Sequence, residues 1–224
     1  MNDLKPDLSA VPQSRAAGAA LIAGGGVYFV AEFIAAAAWT DPPYSYTYHF
    51  VSNLGVHGPA TAFGQFMYSP LAWVMNTGFI LFGLAVLTGV VMLRGLPGRR
   101  WALVATAAVL AAGSTLVALF PGSSEASALH GLGALAAFGG GNALAILLGR
   151  AHRLLGLSRR LGRALLMLGT LGFVSLVVYL TVATGTGVLI GFFERGVIYP
   201  FLVGFIVLGA ALRRPAHDIA VAMR

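Results

Sequence analysis

Long apolar runs separated by short polar segments dominate the pattern of this chain. The runs cover residues 16–38, 67–93, 101–120, 129–149, 162–183 and 192–212. An α-helix needs about 20 apolar residues to cross a hydrocarbon core, and every run meets that length. None alternates apolar and polar positions with the period of a strand, as a barrel's segments of about 10 residues would. Inside hydrocarbon the backbone must satisfy itself, so such runs read as helices. The pattern predicts an all-α membrane protein, a six-transmembrane-helix bundle in one domain, with tails at 1–15 and 213–224. The first run ends in Ala35–Ala38, small residues of the kind a signal peptidase accepts. It is too long for a signal h-region and contains Glu32, so it reads as a retained helix. A three-plus-three repeat would need matching halves; loop 39–66 has no counterpart between the fourth and fifth runs.

Composition agrees with lipid as the solvent. Apolar residues make up 58% and charged residues 9%, against roughly 45–50% and 25% in soluble domains. There is no cysteine, which removes disulfides, thiolate metal sites and cysteine nucleophiles. The net charge of +7 is a matter of placement. Arg195 apart, every Lys and Arg lies in a tail, in the two basic loops, 94–100 and 150–162, or, as Arg163, immediately beside the second of them. Lys and Arg near helix ends stay cytoplasmic. Both termini and the basic loops are therefore expected inside, and loops 39–66, 121–128 and 184–191 outside. Anionic lipid headgroups suit those arginines, and nucleic acid does not enter. The expected location is the inner (plasma) membrane of a bacterium, with a homo-oligomer or a membrane-protein partner left open.

The polar residues inside or beside the runs gather at the outer end. Glu32 lies in the first run, Glu194 and Arg195 open the last, and His130 opens the fourth with Glu125 before it. Loop 39–66 carries Tyr44, Tyr46, Tyr48, His49, Ser52, Asn53 and His57, while Asn76 and Asn142 lie inside runs. A charge at bilayer depth costs about 2.5–3.5 kcal/mol on insertion scales, so it faces protein and has a partner. Glu32 and Arg195 could be a buried ion pair fixing the first helix to the sixth, and Asn76 and Asn142 interhelical hydrogen bonds. Alternatively Glu32, His130, Glu194 and Arg195 line a polar chamber with loop 39–66 as its lid. His49, His57 and His130 are candidate zinc ligands, although no His-Glu-x-x-His or i, i+4 histidine pair is present. No cofactor is assigned. Ser52 with His49, or Ser127 with His130, could pair a nucleophile with a base; the latter share a face only if the helix begins by Ser127. Gly133, Ala137, Gly141 and Ala145 form a small-residue stripe suited to close helix packing, or to making room for a ligand.

Several short segments together resemble the DUF998 family of prokaryotic membrane proteins, whose function is undefined. They are His49-Phe50-Val51-Ser52-Asn53-Leu54-Gly55, Asn76 with Gly78, Phe120-Pro121-Gly122 with His130 beyond it, and Glu194-Arg195. In that family an acidic residue often accompanies the Ser-Asn-Leu-Gly segment and another follows the Phe-Pro pair. Here Val56-His57 and Gly122-Ser123-Ser124 stand there, which speaks against a carboxylate-rich metal site. The resemblance implies topology and a choice of residues, and no reaction. Membrane hydrolases of the alkaline ceramidase and adiponectin-receptor type share only the general plan. They carry paired histidines on a late helix, and this chain has none between His152 and His217.

Three functional readings follow. The first is binding or transport of a lipid or other amphipathic molecule near the outer leaflet. Its ligand residues are Arg195, for an anionic headgroup, Glu32, His49, Ser52, Asn53, Asn76 and Asn142. The second is a membrane hydrolase or transferase with His130 as base and Glu32 or Glu194 as acid. The third is a structural subunit that docks a partner through its small-residue faces.

Overall fold

A computed structural model describes residues 10–93, 96, 98, 100–123, 125, 127–182 and 189–213. The sequence expectations for the outermost tails, for Arg94 and Arg99, and for most of loop 184–191 lie outside these residues. The helices are α1 (Ala10–Ala38), α2 (Ala72–Met92), α3 (Arg100–Leu119), α4 (Ser127–Arg150), α5 (Arg159–Val182) and α6 (Ile190–Arg213). All six are long and apolar enough to cross a membrane, and α6 runs unbroken through Pro200.

Consecutive helices pack on one another, and α6 closes the ring against α1 while also reaching α4. Lipid tails are as apolar as the helices, so association depends on close packing rather than on water exclusion. The sequence provides for this with glycine. A methyl group added at Gly113 of α3 would meet the backbone of Gly133 and Ala137 on α4, and one at Gly18 of α1 would meet the carbonyl of Gly209 on α6. The stripe on α4 is thus consumed within the bundle, with Gly140 against Leu110 and Gly141 against Phe201. The outward faces remain apolar, and α5 shows most of its length, with Met167, Val174 and Val177 exposed.

Loop 39–66 is more ordered than a loop reading suggests. Val51–Gly55 forms a 3-10 turn, and β1 (Ala60–Ala62) pairs antiparallel with β2 (Gln65–Met67), Ala60 opposite Met67. Met67 therefore belongs to a strand, and the second helix begins at Ala72 rather than at Met67. Pro70 explains the difference: its lost N–H and fixed φ favour a position just before or at the start of a helix. Phe63 and Gly64 join the strands with φ of 53° and 72°, the left-handed pair that a tight two-residue hairpin requires. The assembled segment lies over one end of the bundle, the loop-one end.

Candidate ligand chamber

Arg195 organises that end. Its Nε donates to Glu32 Oε1 at 3.0 Å, and its Nη2 lies 2.9 Å from the same oxygen. Nη2 also donates to the Tyr44 hydroxyl at 2.6 Å. Nη1 donates to the carbonyls of Tyr46, Gly191 and His49 at 2.6, 3.0 and 3.3 Å. The Tyr199 hydroxyl donates to Glu32 Oε1 at 2.9 Å, and the guanidinium lies 4.8 Å from the Tyr46 ring centroid. One buried side chain thereby joins α1, α6 and loop one. The rigid fork of arginine can hold so many acceptors at once, and a lysine ammonium could not. Every guanidinium nitrogen is engaged by protein, and Arg195 is not among the residues that line the cavity described below. Glu32 is likewise its ion-pair partner rather than a chamber wall.

The next residue back does something else. Glu194 Oε2 accepts the Val51 amide at 2.5 Å, at the start of the 3-10 turn. Glu194 is buried yet borders a cavity of about 710 Å³ beneath loop one, within the usual size range of small-molecule sites. Ser52, Asn53, Gln65, Ser127 and His130 supply the rest of its polar lining. Tyr48, Phe50, Phe63, Phe138 and Tyr179 supply aromatic walls. Leu135 of α4 and Leu180 of α5 also line it, and they are 48% and 47% exposed on the outer surface of the bundle. Half-exposed leucines of α4 and α5 thus form part of the chamber's apolar lining. A void of about 30 Å³, room for about one water, adjoins it past Glu194 and is bordered by Tyr28 and Ser114.

The polar lining is held from several sides. Asn53 donates to Gln65 Oε1 at 2.6 Å, and Gln65 Nε2 donates to the Tyr48 carbonyl at 2.5 Å, so the hairpin and the 3-10 turn move as one body. Helix α4 does begin at Ser127, and Ser127 and His130 both border the cavity. His130 Nδ1 lies 2.8 Å from the Phe120 carbonyl. A carbonyl can only accept, so Nδ1 carries the proton and a neutral ring keeps its acceptor on Nε2. Phe63 is the strained member. A left-handed φ is uncommon for a bulky residue and marks a constraint, and here it carries a 66% exposed ring next to Gly122 and Phe50.

The remaining sequence candidates lie elsewhere. His49 is buried against Tyr44 and Trp39, and its Nδ1 accepts the Ser45 amide at 2.9 Å. Burial, and then the charge of Arg195, hold its pKa below the ordinary value of 6.5. His57 is exposed beside the Gly58 carbonyl. The three histidines are not brought together, and no group of three or more His, Asp or Glu that could hold a metal occurs among the described residues. Asn76 donates to the Gly55 carbonyl at 3.0 Å, tying loop one to α2. Asn142 donates to the carbonyls of Phe138 and Val197 at 2.9 and 3.1 Å, so both asparagines fasten elements together. Sequence reasoning missed Gln65, Phe63, Phe138 and Tyr179. The Phe63-Gly64 pair, a turn signal inside an aromatic loop, is the one cue that could have drawn attention to them.

Fold and site together define a multi-pass α-helical membrane protein with a chamber beneath loop one at one end. A family model described as "Protein of unknown function (DUF998)" matches residues 22–211, reaching into all six helices. The chain belongs to that family. No curated protein and no solved structure matches it.

Proposed function

We propose that the chain binds or moves a lipid or other amphipathic small molecule, taken from the outer leaflet of the bacterial inner membrane. One observation carries this reading: one cavity is lined both by the polar groups Glu194, His130, Ser52 and Asn53 and by the half-exposed apolar side chains Leu135 and Leu180. That lining matches a molecule with a polar head and an apolar tail. The arginine collar at the opposite end supports placing loop one outside. The same collar suits anionic lipid headgroups on the cytoplasmic side.

Gly131 allows a clean test. It is exposed at the edge of the cavity, and a Cβ built on it meets nothing within 4 Å, so Gly131→Leu adds apolar bulk at the chamber's edge with no clash at its Cβ. Native mass spectrometry of protein extracted with its own lipids should show a bound amphiphile on the wild type and its loss on Gly131→Leu. Equal retention by the two proteins would refute a ligand in this chamber. His130 supports a second reading, hydrolysis of or transfer to a lipid, because its free Nε2 is a base within reach of a cavity that Ser52 and Ser127 also line.

A further inference from the structure

The charges at the loop-one end do not balance. Among the described residues buried there, Glu32 and Glu194 are carboxylates and Arg195 is the cation. Arg195 forms its ion pair with Glu32. Glu194 accepts a backbone amide instead, and it is the acid that borders the chamber. A buried carboxylate without a counter-charge is costly, so its site favours a partner that brings a positive charge or a proton. Among the described residues, no Lys or Arg lines the cavity. Its other strong group, His130 Nε2, is also an acceptor, and aromatic faces make up much of the wall.

Such a lining repels anions and accepts donors. We propose that the chamber selects amphiphiles whose head carries a protonated amine, held by Glu194 with His130 Nε2 as a second acceptor. The aromatic rings around them favour a cation through their quadrupoles. The ammonium completes the charge that Arg195 leaves open, and the tail lies along the apolar lining past Leu135 and Leu180. This inference rests on the chamber's being the ligand site, and it replaces the anionic headgroup expected from sequence with the opposite charge.

The test uses three probes of equal tail length, dodecylamine, dodecanol and dodecyl phosphate, titrated onto the full chain in maltoside detergent and read by native mass spectrometry. Charge-assisted hydrogen bonds are about twice as strong as neutral ones, so the wild type should retain the amine at about tenfold lower concentration than the alcohol and the phosphate least. Glu194→Gln keeps an acceptor for the Val51 amide. It should lower amine retention to the level of the alcohol and leave the alcohol unchanged. A wild type that retains all three alike, or the phosphate best, overturns the amine proposal while binding in the chamber stands. The wild-type series decides this without any variant. Retention that Gly131→Leu does not diminish overturns the chamber reading itself.

Discussion

Glu194 and Arg195 are neighbours in sequence and hold the same loop by different means, one at the chamber and one outside it. Successive helical residues point about 100° apart, so Arg195 meets Glu32 on α1 while Glu194 borders the cavity facing α4. Both also grip loop-one backbone, Glu194 through the Val51 amide and Arg195 through the Tyr46 and His49 carbonyls. The lid and the chamber wall are therefore one mechanical unit.

The buried ion pair makes the first prediction. Removing one partner leaves the other charge buried, which typically costs about 3–5 kcal/mol. Arg195→Met and Glu32→Leu should each strongly lower the thermal midpoint in detergent. The double variant should be no less stable than the worse single, so the coupling in a double-mutant cycle should be at least about 3 kcal/mol, the smaller single loss. Additive losses would show that the two side chains stabilise the protein independently.

Burial and the Arg195 charge depress the His49 pKa, and its Nδ1 must be unprotonated to accept the Ser45 amide. The unfolded chain takes up a proton more readily than the folded one. The stabilising effect is thus complete above the ordinary value of 6.5 and is lost as pH falls below it. The hydrogen-exchange protection factors of residues 44–51, corrected for the intrinsic rate at each pH, should fall between about pH 6.5 and pH 5 in the wild type. His49→Gln should remove that dependence, and an unchanged pH profile in this variant would show that another group is responsible.

Most of the fold was legible because membrane helices announce themselves by length and apolarity. The site was legible in part. Glu194, Arg195, Glu32 and His130 stood out because a charge or imidazole at that depth needs a reason. What could not be read was direction: Arg195 and Glu194 look interchangeable as ligands until the helix phase turns one towards α1 and the other towards the cavity. Gln65 and the hairpin were hidden for another reason. Three-residue strands have no periodicity to detect, and an uncharged glutamine in a loop carries no signal until Asn53 and Tyr48 are seen around it.

Phe63 should trade stability for function. Its left-handed φ of 53° costs roughly 1–2 kcal/mol in a non-glycine residue, and its ring borders the chamber. Phe63→Gly should leave the thermal midpoint unchanged or slightly higher while reducing amphiphile retention. A large fall in the midpoint would show that the ring packs the loop rather than serving the chamber.

Two glycines test the packing account. A side chain at Gly172 would collide with the Asn142 carboxamide, whereas Gly139 has open space around it. Gly172→Ala should destabilise the bundle by about 1–3 kcal/mol, as overpacking does, and Gly139→Ala should be neutral or mildly stabilising. Chemical unfolding of the two variants beside the wild type would show whether this ordering holds.

The central claim, an amphiphile seated beneath loop one, is met most directly by an experimental density map of the protein in native lipid. The account predicts an elongated density starting between Glu194 and His130 and running past Leu135 and Leu180. A chamber holding only isolated water-sized peaks would contradict it.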